Sequence, residues 1–162
     1  MNKEIVKLSK IEKNFTNKSK DLLVLKNINI ILNKGDLVAL TGPSGSGKST
    51  LLHIIALLDK PSSGEVFFDK KNFSKSTDKE KDIVRKKRIS IIYQQNNLLT
   101  DFTALENVMI PMLNLGKTKK ESKIKAEKIL SSVNLTARFS HFPSEMSGGE
   151  QQRVAVASAL AT

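Results

Sequence analysis

Cysteine is absent from the 162 residues, which excludes a disulfide framework and thiolate zinc sites and suits a reducing compartment. No run approaches the roughly 18 apolar residues that a membrane-crossing helix needs. The apolar stretches are of core size. The opening "MNKEIVKLSK" has no apolar h-region and is not a secretory signal. Aromatic residues are scarce, at 5%, and of 27 basic residues only Arg85, Arg88, Arg138 and Arg153 are arginines. Specific nucleic-acid readers rely on arginine and interleaved aromatics. The net charge of +11 therefore reads as a lysine-rich bias along the whole chain, and no nucleic-acid partner is expected.

What is present is ordinary for a soluble globular domain, with 39% hydrophobic and 27% charged residues and enough chain to bury one core. No internal repeat is found. Short strand and helix patterns alternate, which favours an α/β architecture. Strands are expected at "EIVKL" (4–8), "NINIIL" (27–32), "DLVALT" (36–41), "EVFFD" (65–69) and "RISIIY" (88–93), with a turn at 33–35. The runs 36–41 and 88–93 are apolar enough to be buried on both faces. "STLLHIIALLD" (49–59) reads as an apolar helix closed by Pro61 and Gly64. Residues 70–88 read as a loop and a solvated helix. From Gln94 to Met146 the strand pattern disappears. Thr103 with Glu106, and Thr118 with Glu121, are capping boxes that start helices near 103–115 and 118–132. Ser147 with Glu150 is a third. The organisation expected is an α/β core made of 1–93 and 148–162, with a helical subdomain inserted at 94–147.

One motif announces chemistry. "GPSGSGKST" (42–50) has the pattern G-x-x-x-x-G-K-[ST] between an apolar strand pattern and an apolar helix pattern. The residues are Gly42, Pro43, Ser44, Gly45, Ser46, Gly47, Lys48, Ser49 and Thr50. Glycines let the backbone curl so that successive N–H groups converge on phosphate oxygens, and the helix that follows adds the positive end of its dipole. Lys48 brings a full charge to the β- and γ-phosphates, and Ser49 offers Mg²⁺ a hydroxyl oxygen. A glycine turn without a ligand is the plain alternative; the strand–loop–helix context argues against it. The expected ligand is a purine nucleoside triphosphate with Mg²⁺, but the loop alone does not separate a kinase, GTPase, motor or transporter ATPase.

A second glycine pair narrows the choice. "MSGGEQQRVAVASAL" (146–160) resembles the signature motif of ABC-type ATPases, L-S-G-G-Q/E-x-Q-R followed by an Ala/Val-rich helix. Met146 stands where Leu is commoner, and Ser158 where Arg is usual. Physically, Ser147 caps a helix, and Gly148 and Gly149 leave its first N–H groups open to an anion. The resemblance implies two nucleotide-binding domains placed head to tail, with Ser147, Gly148, Gly149 and Glu150 of one covering the ATP held by the loop of the other. It implies that Gln94, after "RISIIY", is the Q-loop glutamine, a catalytic residue with Lys48 and a Mg²⁺ ligand with Ser49. It implies that Phe15 stacks on adenine, against the plain alternative of a core phenylalanine. His53 and His141 match no functional position of the family.

The resemblance covers essentially the whole chain. Within it, "QNNLLTDFTALENVMIPML" (95–113) and "HFPSEMSGGE" (141–150) look like the ATPases of lipoprotein-releasing (Lol-type) exporters of Gram-negative bacteria. The macrolide-export and cell-division ATPases share much of this pattern. The function implied is ATP hydrolysis coupled to transport by integral membrane permease subunits, at the cytoplasmic face of the inner membrane. The family docks its permease on the helical subdomain, where Leu98, Leu99, Phe102, Leu105 and Val108 form a dock or the subdomain's own core. The family continues past the signature with a strand ending Asp-Glu (Walker B), a D-loop and a switch histidine. None occurs in these residues, and Glu150 is the last acidic one. The expectation is a truncated chain that binds ATP and hydrolyses it slowly or not at all, with apolar surface left uncovered at 36–41 and 89–93. A DNA-maintenance ABC ATPase lacks room here for its coiled coil; a non-catalytic nucleotide-binding remnant stays open.

Overall fold

The computed structural model describes residues 3–17, 20–95 and 97–162; Asn96, within the 95–113 segment, lies outside them. The chain divides into two compact units, Met1–Asp82 and Ile83–Thr162.

The first unit is built on an antiparallel sheet of strand order β2-β1-β3-β4, comprising β1 (Glu4–Asn17), β2 (Lys20–Asn33), β3 (Ser63–Phe68) and β4 (Lys71–Asn72). Its first two strands are much longer than the apolar runs 4–8 and 27–32. Residues 9–17 and 20–26 continue the two strands, with Lys10, Asn14 and Asp21 exposed. Alternation places Val6 and Leu8 on the buried face, paired with Phe68 and Val66 of β3. A bulge follows. Lys10 has φ 50, the β1–β3 register shifts between Ser9 and Glu12, and the Lys10 N–H donates to Asn29 Oδ1 at 2.9 Å. One extra residue inverts the alternation. Ile11 is therefore fully buried, and Lys13 and Phe15 follow on its face.

Helix α1 (Lys48–Ile55) buries Leu51 and Ile54. It ends four residues short of the expected Asp59, for a local reason. The Leu58 N–H donates to the His53 carbonyl at 2.9 Å and the Leu57 N–H to the Ile54 carbonyl at 3.0 Å, with Leu57 at φ 58. These are the two bonds of a Schellman closure. A buried leucine occupies the left-handed position that glycine usually takes, so the sequence carried no stop signal there.

Two expected strands are not strands. Neither 36–41 nor 88–93 is a strand of the described sheet; Arg88 belongs to helix α2 (Asp78–Arg88). Leu37 is 100% exposed, and Ile91, Ile92 and Tyr93 lie open to solvent. An apolar run becomes a two-sided buried strand only where neighbouring strands supply the ladder and a layer covers each face, and no described residue does so here.

The second unit is helical beyond α2, with α3 (Ala104–Asn114), α4 (Lys119–Ser132) and α5 (Gly148–Ala159). All three expected capping boxes form, at Thr103/Glu106, Thr118/Glu121 and Ser147/Glu150. Schellman pairs close α3 at Gly116 and α4 at Asn134, both with positive φ. Val108 and Met112 of α3, Ala126 and Leu130 of α4, and Val154 and Ala157 of α5 form the core, sealed by Leu135 and Met146. Pro111 sits inside α3, where it cannot donate to the Asn107 carbonyl. Ser158 Oγ donates to that carbonyl instead, at 3.2 Å. The position at which this chain departs from the usual signature-helix arginine thus repairs the ladder that Pro111 interrupts.

Candidate functional site

The 42–50 loop lies in the first unit and is exposed from Gly42 to Ser46. It turns into α1 at Gly47, whose φ of 87 is left-handed. A Cβ at Gly47 would stand 3.0 Å from Leu25 Cδ2 and 3.0 Å from Val24 Cγ1 on β2, so both backbone and neighbours require glycine there. The first turn of α1 then begins at Lys48 with its N–H groups free of intrahelical acceptors. Lys48 folds back over the loop. Its Nζ donates to the Gly42 carbonyl at 2.8 Å and the Pro43 carbonyl at 2.6 Å. The loop therefore closes on one ammonium, and a polyanion arriving at the helix start can exchange phosphate oxygens for those carbonyls. Ser49 is exposed and Thr50 half-buried in the same turn.

Phe15 is 45% exposed and pairs with Leu22 on β2. Two residues further along β2 is Val24, which abuts Gly47. One short stretch of β2, Leu22 to Val24, therefore neighbours both the aromatic residue and the entry to the loop. Lys13 joins them. It was marked by no motif, because its partners Asp59 and Lys60 lie 46 and 47 residues away.

In the second unit Gln94 is exposed at a bend. The Ser147–Glu150 turn opens α5. Ser147 Oγ accepts from the Glu150 N–H at 3.3 Å, while Glu150 Oε2 accepts from the Ser147 N–H at 2.8 Å. Arg138 adds a bond from Nε to Glu150 Oε1 at 2.7 Å. The Arg138 guanidinium, and then Ser147, hold the Glu150 carboxyl down to a pKa of about 2. Gln151 Nε2 donates to the Pro143 and Met146 carbonyls at 2.8 and 3.1 Å. The turn is thus fixed from both sides. Gly148 and Gly149 are exposed within it; a Cβ at Gly148 would meet nothing within 4 Å, and one at Gly149 only Arg153 Nη1 at 3.8 Å.

The proposed dock divides cleanly. Val108 is fully buried, and Leu98 and Leu105 pack on the helical core; Leu99 (47% exposed) and Phe102 (41%) remain at the surface. Asn107, buried and unremarked in the sequence, presents them. Its Oδ1 accepts from the Leu99 N–H at 2.8 Å and its Nδ2 donates to the Leu99 and Phe102 carbonyls at 3.1 and 2.9 Å. His53 is half-buried in α1, and the His141 carbonyl accepts from the Ala104 N–H. Among the described residues no helix is long and apolar enough to cross a membrane, and no group of three His, Cys, Asp or Glu side chains is arranged to hold a metal.

Comparison with known proteins identifies the family and the fold. The family model described as ABC transporter matches residues 25–162. The lipoprotein-releasing system ATP-binding protein LolD of Saccharophagus degradans is 43% identical over 160 residues, covering 99% of this chain and 70% of that protein. LolD of Legionella pneumophila (strain Paris) gives the same identity and coverage. LolD of Aquifex aeolicus is 47% identical over 138 residues, 85% of this chain and 62% of that one. The dimeric structure of MJ0796, a bacterial ABC transporter cassette, superposes with a TM-score of 0.90 at 38% identity, over 97% of this chain and 69% of that one. A structure of MJ0796 in a post-hydrolysis state bound to ADP and Pi also gives 0.90, at 40% identity. With the two glycine motifs, the 0.90 superposition and a family match across residues 25–162 in agreement, the chain belongs to the ABC transporter family and has the α/β fold of its nucleotide-binding cassettes.

Proposed function

We propose that this chain is the ATP-binding subunit of an ABC transporter of the lipoprotein-releasing type, coupling ATP binding and hydrolysis to the work of membrane permease subunits. The observation that carries the reading is the 42–50 loop closed around Lys48 Nζ at the start of α1. In this reading Phe15 stacks on adenine, residues 42–50 hold the phosphates, and Lys48 neutralises charge on the β- and γ-phosphates. The donor set suits Mg²⁺. Ser49 offers a hard hydroxyl oxygen and no carboxylate cage is present among the described residues, as befits an ion held largely by phosphates and water. Bound there, Mg²⁺ would offset phosphate charge; Ser49 and Gln94 would supply its protein oxygens, Gln94 on the family resemblance alone. On the family resemblance we assign 1–93 with 148–162 to the α/β core and 94–147 to the helical subdomain, although α5 itself packs on α3 and α4.

Gly148 and Gly149 support a second half-site. Neither is required by its own surroundings, and each weakens the start of α5 by roughly 0.5–1 kcal/mol relative to alanine. An exposed helix start kept bare at that cost fits close approach by another molecule's anion, as in a head-to-tail pair of cassettes. Leu99 and Phe102 are the surface proposed for the permease, which would hold the subunit at the cytoplasmic face of the inner membrane. Calorimetric titration with Mg·ATP tests the reading. Saturable binding weakened at least tenfold by Lys48→Ala is the expected result, and equal heats for both proteins would sink it.

A further inference from the structure

A lysine ammonium is rarely withdrawn from water without a reason. The Lys13 side chain is only 12% exposed. Its Nζ donates to Asp59 Oδ1 at 2.8 Å and to the Lys60 carbonyl at 2.7 Å, and lies 5.1 Å from the centroid of the Phe15 ring. The sheet explains how it gets there. The bulge at Lys10 shifts the alternation of β1, so that Lys13 and Phe15 follow Ile11 on one face. The end of α1 explains the partner. The Schellman closure at Leu57 turns the chain back, and the Asp59 N–H is bonded to the His53 carbonyl at 3.2 Å. A chain of contacts therefore runs from the last turn of α1, through Asp59, to the Lys13 ammonium and on to the ring. The first turn of the same short helix carries Lys48 and Ser49.

We propose that Lys13 is a positioning residue for the nucleotide base, which holds the Phe15 ring from one face and ties its position to α1, the helix that carries the phosphate loop. This rests on the reading of Phe15 as the residue that stacks on adenine. A cation is drawn to the electron-rich face of an aromatic ring. With Lys13 anchored by two hydrogen bonds, that face is taken and the ring's tilt is set, which leaves the opposite face for a flat ligand. The ring is pre-set before the ligand arrives, so less freedom is lost on stacking. Base and phosphates are then gauged against one rigid element, eight residues long.

The test compares ATP with inorganic tripolyphosphate, which has the phosphates and no base, each with Mg²⁺, on the wild-type chain and its variants. Lys13→Met is expected to weaken ATP about fivefold, the size of one cation–ring contact, and to leave tripolyphosphate unchanged. Lys13→Arg, which keeps the charge and can still reach Asp59, is expected to restore ATP affinity. Asp59→Asn loosens the same link from its other end and should reproduce the ATP-specific loss, which keeps the test decisive should Lys13→Met fail to fold. Phe15→Ala should lose ATP affinity, and adding Lys13→Met should lose little more. Equal loss of ATP and tripolyphosphate in Lys13→Met, or no loss of either beside a clear loss in Phe15→Ala, would overturn the role given to Lys13. No change in Phe15→Ala would instead overturn the stacking role of Phe15, and this proposal with it.

Discussion

At the residue scale the glycines sort by cause. Gly47 is held to glycine by a φ of 87 and by β2 atoms at 3.0 Å from the position of a Cβ. Gly148 is the first residue of α5 and has open space around it. Substitution by alanine should therefore act in opposite directions. Gly47→Ala is expected to destabilise the chain by about 1–3 kcal/mol, from left-handed strain and crowding together. Gly148→Ala is expected to be neutral or to stabilise by about 0.5–1 kcal/mol. Urea melts of the two variants check both signs. The sequence showed all these glycines in two motifs, but not which of them the fold itself needs. Lys13 was illegible for a related reason. Its meaning lies in a carboxylate 46 residues away, brought near by a bulge and a leucine-capped helix end that no local pattern signals.

At the element scale, features written in a few consecutive residues were legible. Each capping box pairs a side chain with one three residues on, and Thr103/Glu106, Thr118/Glu121 and Ser147/Glu150 all form. The apolar runs 36–41 and 88–93 failed as strands because a strand is defined by its neighbours, and the described sheet holds no strand beside either run. The long β1–β2 hairpin was missed because half of it is polar. The caps carry a pH dependence. Bonds from Thr103 lower the Glu106 carboxyl, bonds from Thr118 lower that of Glu121, and Arg138 with Ser147 lowers Glu150 to about 2, from an ordinary 4.5. A carboxyl held lower in the folded state contributes stability that is present in full above its unfolded pKa and is lost as pH falls towards the folded one. Helicity followed by circular dichroism is therefore expected to hold above about pH 5 and to decline between about pH 4.5 and 2. In Glu150→Gln the part of that decline nearest pH 2 should disappear. A decline in Glu150→Gln that matched the wild-type one throughout would contradict the assignment.

At the scale of the whole molecule, one chain presents two helix starts proposed to hold anions, at Lys48 and at Gly148. The first has a closed loop, a lysine and an aromatic residue nearby. The second is capped by Ser147 and Glu150, and a Cβ at either of its glycines would meet no backbone atom within 4 Å. Those two facts make the central claim, that ATP held by residues 42–50 of one copy is covered by Ser147–Gly149 of another. Its most direct test is sedimentation equilibrium of the chain with and without Mg·ATP, beside Lys48→Ala and Gly149→Asp. The second variant is chosen because an acidic residue suits the first turn of a helix and a Cβ fits there, while its charge repels a phosphate. The account predicts a dimer that forms only with Mg·ATP and is lost in both variants, with Gly149→Asp still binding nucleotide as a monomer. A Gly149→Asp chain that dimerised with Mg·ATP as readily as the wild type would contradict it.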